Sequence, residues 1–145
     1  MILDDKLMKY VLFKKRTKNE VKEKCQLLKY EDDYIEEVLD YLEENNYIGD
    51  ETYVQKYIAN VKRLKNASIN EIKMDLMKRG IESDLIEKYI DDDLLEFELN
   101  SAIILAQKKA RTSDTDKIKR FLLNKGYSYD TVTKAIDNLE QMDDN

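Results

Sequence analysis

The sequence predicts an all-α protein: three tandem three-helix repeats in an elongated array that stacking can curve. Three observations predict it. The first is a pattern that occurs three times with the same internal spacing: Glu20-Val21, Cys25, Lys29-Tyr30, Asp33, Ile35, Val38-Leu39; then Glu71-Ile72, Leu76, Gly80-Ile81, Asp84, Ile86, Tyr89-Ile90; then Lys117-Ile118, Leu122, Gly126-Tyr127, Asp130, Val132, Ala135-Ile136. Its copies begin at 20, 71 and 117, a recurrence of the length expected when stacked helical units bury each other's apolar faces. The second is composition: 145 residues with no Pro and 3 Gly leave helices unbroken and supply few of the turns a β protein needs. The third is patterning: charged residues at 39% and apolar residues at 42% suit amphipathic helices with solvated faces. The predicted units are 1–49, 50–93 and 94–145, the last with a short acidic tail from Glu140 expected to fray. No stretch rich in Gly, Ser or Pro divides them, so one continuous array is expected.

In each unit the first helix is the most variable. It carries Leu3, Leu7, Met8, Val11 and Leu12 in unit 1. In unit 2 it starts at the cap Asp50 and carries Tyr53, Val54, Tyr57, Ile58, Val61 and Leu64. Unit 3 offers Leu95, Leu99, Ala102, Ile103 and Ala106. The second helix is the best marked. Thr17-Lys18-Asn19-Glu20 and Ser68-Ile69-Asn70-Glu71 are aligned capping boxes; the third copy keeps the cap, Asp114, but has Lys117 where Glu would return the bond. This helix ends at Gly80 and Gly126, where glycine enters the left-handed conformation without a steric penalty. Unit 1 has Lys29 there, so either Lys29 is strained or the turn differs. The third helix repeats an i, i+3, i+4, i+7 apolar face: Tyr34, Ile35, Val38, Leu39 and Leu42; Leu85, Ile86, Tyr89 and Ile90; Val132, Ala135, Ile136 and Leu139.

Charge follows the same period. The net charge of −6 divides into a balance of +7 over Lys6 to Lys29, −10 over Glu31 to Glu51, +5 over Lys56 to Arg79, −7 over Gly80 to Asn100, +5 over Ala106 to Lys125 and −4 over Gly126 to Asn145, with Asp4 and Asp5 completing the sum. Stacking would set a basic ridge beside an acidic one. Neighbouring helices could simply neutralise each other through surface ion pairs, each worth about 0–1 kcal/mol. Alternatively the ridge is a docking face for an acidic or phosphate-bearing partner. Its expected members are Lys62, Arg63, Lys65, Arg79, Lys108, Lys109, Arg111 and Arg120.

Catalysis finds little support. The absence of His removes Ser-His-Asp and Cys-His systems and His-ligated metals. A single cysteine, Cys25, allows no intrachain disulfide, fits a reducing cytoplasmic compartment and aligns with the core leucines Leu76 and Leu122. Asp91-Asp92-Asp93 lacks the spacing and glycine of a calcium loop. Most Tyr residues, such as Tyr34, Tyr57 and Tyr89, fall on apolar faces, with Tyr129 a candidate for exposure. A helix-turn-helix reading around Gly80 meets Glu82, Asp84 and Glu87, which repel phosphate. No signal peptide or bilayer-spanning stretch is visible. The expectation is a non-enzymatic monomer without metal or cofactor.

These residues resemble the RecX family, regulators of the RecA recombinase. The resemblance lies in Arg16-Thr17-Lys18-Asn19-Glu20-Val21, in Tyr47-Ile48-Gly49-Asp50-Glu51-Thr52-Tyr53, in Gly80-Ile81, and in Glu98, Ala102, Lys108-Lys109, Phe121-Leu122 and Gly126-Tyr127. Departures are Cys25 and Lys29 in place of the family's leucine and glycine, Val54 in place of its alanine, and an N-terminal extension carried by many relatives. The resemblance implies three three-helix units, no enzymatic activity, and a role in DNA recombination, repair and the SOS response. It further implies binding along the groove of the RecA nucleoprotein filament, with inhibition of its ATPase and strand exchange. Direct contact with single-stranded DNA is expected to be weak, since the chain is acidic. The runner-up reading is a helical-repeat adaptor for another acidic or filamentous partner, with weak nucleic-acid binding.

Overall fold

A computed structural model describes residues 3–143. Among them are nine helices and no strand: α1 (Asp5–Phe13), α2 (Lys18–Leu27), α3 (Asp32–Glu44), α4 (Asp50–Leu64), α5 (Ile69–Lys78), α6 (Ser83–Lys88), α7 (Asp92–Lys109), α8 (Thr115–Asn124) and α9 (Tyr129–Asp143). They enclose three apolar clusters. Leu7, Val21, Cys25, Val38 and Leu42 lie in the first, Val54, Ile58, Ile72, Leu76, Ile86 and Leu94 in the second, and Ala102, Ile118, Leu122, Tyr127, Val132 and Ile136 in the third.

α2, α5 and α8 start and stop alike. Thr17 and Ser68 each accept from the backbone N–H three residues on while Glu20 and Glu71 return the bond, completing both capping boxes. Asp114 accepts from the Lys117 N–H at 2.9 Å. At the other end all three turns use one hydrogen-bond scheme, the Schellman motif. Tyr30 N–H donates to Cys25 O, Ile81 N–H to Leu76 O and Tyr127 N–H to Leu122 O, at 3.1, 3.1 and 3.2 Å. The residue before each donor has positive φ: Lys29 at 64°, Gly80 at 86° and Gly126 at 95°. The turn at Lys29 therefore does not differ; the lysine adopts the strained conformation.

Successive units are joined at these same termini. The Thr17 hydroxyl, fully buried, donates to Arg79 O at 2.9 Å, and the Ser68 hydroxyl donates to Lys125 O at 2.8 Å. The N-terminus of α2 thus abuts the C-terminus of α5, and the N-terminus of α5 abuts that of α8. Partial charges of opposite sign meet at each joint. The packing is tight over the glycines. A Cβ at Gly80 would lie 2.4 Å from Asn19 Cβ, and one at Gly126 would lie 3.0 Å from Asn70 Cβ. A carboxylate from the next unit completes each joint. Asp50 accepts from the Lys18 N–H at 2.9 Å, and Glu98 accepts from the Ile69 N–H at 2.6 Å and from the Thr131 hydroxyl at 2.9 Å.

Several sequence expectations need correction. Asp50 is not the cap of α4; Gly49 occupies that position, and Asp50 serves the joint instead. Leu12 and Leu64 lie at helix ends in solvent, outside the core. Leu95 is exposed too. α7 turns Leu94, Glu98, Ser101, Ala102 and Ala106 inward, because its first turns close the middle cluster before its second half joins the third. α7 begins at Asp92. The expected fraying from Glu140 is replaced by helix to Asp143; Asp144 and Asn145, like Met1 and Ile2, lie outside the described residues.

Candidate partner-binding surface

The first helix of each unit ends in a basic cluster. Lys62 and Arg63 occupy the last turn of α4, and Lys108 and Lys109 that of α7, where cations offset the negative end of the macrodipole. Lys14 and Lys65 follow α1 and α4 in extended conformation, which carries the chain away from the helix axis. Lys62, Arg63, Lys65, Lys108, Arg111 and Arg120 are exposed, and Lys109 is half-buried. Among the described residues, Arg63 bonds its neighbour Asn60, at 3.4 Å.

Two of the eight expected ridge residues meet around an aromatic ring. Lys109 and Arg120 line a shallow groove of about 460 Å³ with Ser113, Lys117, Phe121 and Asn124. The Lys109 ammonium stands 4.9 Å from the Phe121 ring centre, and that of Lys125 5.3 Å. Lys117 reaches this groove from the position that Glu20 and Glu71 hold in the other units. The residue change that breaks the capping box thus also adds a cation to the groove. Arg79 is placed differently. Its guanidinium lies 5.7 Å from the Tyr53 ring and 5.9 Å from Tyr57, and its carbonyl receives the Thr17 hydroxyl. Its guanidinium is held over aromatic rings of its own unit, and its backbone carbonyl serves the joint with the preceding one.

The acidic helices face elsewhere. A groove of about 840 Å³ runs between α2 and α3 and onto the second unit, with Asp32, Glu36, Asp40, Glu43, Asp50 and Glu82 along its walls. Three ion pairs among the described residues join different helices: Lys18–Glu43 at 3.8 Å, Lys73–Glu87 at 2.7 Å and Lys88–Glu51 at 2.8 Å. None of the eight ridge residues forms an ion pair with a described carboxylate. Among the described residues, mutual neutralisation therefore uses other lysines and leaves the helix-end clusters unpaired.

Reactive chemistry is not evident in the described residues. Burial, reinforced by the Asp4 carboxylate, pushes the Cys25 thiol up, away from the nucleophilic thiolate. Tyr57 is likewise raised, first by burial and then by its 2.6 Å bond to Asp75. Asp91 caps α7 by accepting from the Leu94 N–H. No group of His, Cys, Asp and Glu able to hold a metal is found among these residues, and none of their helices is long and apolar enough to cross a membrane. Tyr129 is exposed, as its position suggested.

Sequence reasoning missed the apolar members of the surface. Phe13 ends α1 and Leu64 ends α4, and both project into water beside the lysines. The signal was present: each lies four residues before a capping hydroxyl, Thr17 or Ser68.

No family model matches the chain. The regulatory protein RecX of Clostridium botulinum (strain Eklund 17B / Type B) is 35% identical over 130 residues, which cover 83% of this chain and 60% of the relative. The crystal structure of RecX from Lactobacillus salivarius superposes with a TM-score of 0.83 at 27% identity, covering 94% of both chains. The chain belongs to the RecX family. The regulatory protein RecX of Clostridium perfringens (strain 13 / Type A) is 31% identical over 140 residues, 88% of this chain and 65% of the relative. A further RecX crystal structure, 20% identical with a TM-score of 0.81, shares the fold over 91% of this chain and 70% of its own. The chain spans less than two thirds of the length of these curated relatives. The RecX structures share the all-helical architecture in which this surface is displayed.

Proposed function

We propose that this protein is a non-enzymatic regulator that binds the RecA nucleoprotein filament and lowers its ATPase and strand exchange. Membership of a family whose relatives are named regulatory proteins supports the class of function. The observation that carries the docking face is the set of unpaired cations at the ends of α4 and α7, displayed again in the groove beside Phe121. A filament presents the same surface at regular intervals, so an array with repeated contacts sums weak interactions along it. The protein acts in the cytoplasm as a monomer, without metal or cofactor.

The test is the DNA-dependent ATPase of a RecA filament titrated with the protein. Inhibition is expected, with no ATPase from the protein alone; unchanged turnover at large molar excess overturns the proposal. Reversing Arg63, Lys109 and Arg120 to Glu should weaken inhibition most at low salt, because exposed charges act on encounter and are screened by ions. The melting temperature should hardly move, since surface substitutions stay within about 0.5 kcal/mol. If the ridge merely balances the acidic helices, the triple variant loses thermal stability and keeps its inhibition. One further observation favours a second reading: the cations around Phe121 could hold a phosphate backbone with a stacked base. Binding to naked single-stranded DNA as tight as to the filament would move the assignment toward nucleic acid.

A further inference from the structure

The ends of α1 and α4 repeat more than charge. Phe13 is 82% exposed and Leu64 68%, at equivalent places in successive units. Each is bracketed by cations: Lys14 and Lys15 follow Phe13, while Arg63 and Lys65 flank Leu64. The local backbone is firmly held. Arg16 donates to Tyr10 O at 3.0 Å with its guanidinium 3.7 Å from the Tyr10 ring centre, and the Lys65 N–H donates to Val61 O at 3.1 Å. The two side chains are therefore displayed by ordered helix ends.

Single exposed apolar residues are common and need no explanation. Two at the same place in consecutive units, each within unpaired cations, form a pattern. Resting on the regulator reading above, we infer that Phe13 and Leu64 are apolar anchors for a protein partner whose surface repeats an apolar pocket rimmed by carboxylates. Charge complementarity sets the rim: Lys14, Lys15, Arg63 and Lys65 are unpaired with any described acid. A nucleic acid fits less well, because an aliphatic Leu64 offers no ring for a base to stack on. Desolvated apolar contacts slow dissociation, while the surrounding cations speed encounter. In the third unit the equivalent position is Ala110, and the Phe121 groove lies beside it.

The experiment compares the full chain with Phe13→Ser, Leu64→Ser, the double variant, and Leu27→Ser as a control. Leu27 is an exposed apolar residue outside the pattern. Each is titrated into RecA filaments at low and high salt, with melting temperature measured on the same samples. The double variant should need at least about tenfold more protein for half-inhibition, as loss of central anchors does. The deficit should persist at high salt, where charge contributes little, and Leu27→Ser should match the parent. If the parent inhibits and the double variant equals it, the anchors are refuted and the regulator reading stands. If the parent fails to inhibit or bind filaments, both readings fall. Equal loss of binding to naked single-stranded DNA would make the surface a nucleic-acid reader, and conversion of a dimeric parent to a monomer would make a second copy the occupant. Either result overturns the inference.

Discussion

The turn that ends α2 and the turn that ends α5 make the same hydrogen bonds with different residues. The first uses Cys25 and Lys29, the second Leu76 and Gly80. The backbone demand is shared, since both have positive φ. What differs is the surroundings. Gly80 lies beneath Asn19 of the preceding unit, where a Cβ would overlap, whereas Lys29 is exposed in the first of the described units. Left-handed backbone alone is a modest penalty that a lysine can carry, about 1–2 kcal/mol. Left-handed backbone together with a neighbour at 2.4 Å admits only glycine. The glycine therefore marks the joint between units rather than the turn itself.

The largest expected effect breaks the comparison at its core residue. Leu76→Ala, at a fully buried position, should destabilise by about 2–5 kcal/mol, and Leu122→Ala by a similar amount. Cys25→Ala should lose clearly less, because less volume leaves an equally buried site. Urea melts of the three variants check this; equal midpoints for Leu76→Ala and the parent would remove Leu76 from the core. Next comes Gly80→Ala. It combines left-handed strain with overpacking against Asn19, for about 2–4 kcal/mol. Gly126→Ala should lose less, as its nearest neighbours stand at 3.0 Å. Trimming Asn19 to Gly in the Gly80→Ala background should recover part of the loss, and no recovery would mean that backbone strain alone is responsible.

Smaller still is Ser68→Ala, which removes both a helix cap and the bond to Lys125 O, for about 1–2 kcal/mol. Asp114→Ala removes only a cap and should lie at the lower end of the capping range, near 0.5 kcal/mol. Equal losses in thermal melts would show that the Ser68 joint contributes nothing beyond its cap. One effect of similar size has the opposite sign. Lys29→Gly relieves the left-handed strain but frees the unfolded chain, for a net gain of about 0.5–1 kcal/mol. A destabilised Lys29→Gly would mean that the lysine makes a contact that offsets its backbone.

The capping boxes at Thr17 and Ser68 were legible because both partners lie within one turn of the same helix. The inward face of α7 was not. Leu94 and Leu95 are both leucines, and the sequence alone favoured the exposed one. Glu98, only 5% exposed, reads locally as a solvated acid. It is buried because Ile69 N–H, far away in the chain, has no helical partner and takes its carboxylate. Asp50 looked like a cap for the same reason: a carboxylate before a helix usually serves that helix, and here it serves α2. The basic clusters were visible as charge in phase with the repeat, but of their apolar members Leu64 was read as a core position and Phe13 was not singled out.

By itself the sequence determined the helical class, the threefold recurrence, the starts of α2, α5 and α8 and the glycine turns at Gly80 and Gly126; that Lys29 makes the same turn came from the structure. The features read from the sequence all depend on residues a few positions apart, whose backbone preferences act locally. Only the tertiary structure decided how units meet and which charges remain free. It set Thr17 and Ser68 against the carbonyls of Arg79 and Lys125 and drew Asp50 and Glu98 to neighbouring helix starts. It also held Arg79 over Tyr53 and Tyr57 while leaving Arg63 without a described acid. Those choices depend on which termini and surfaces are brought together across tens of residues, and a buried N–H or carbonyl there bonds whichever partner packing supplies.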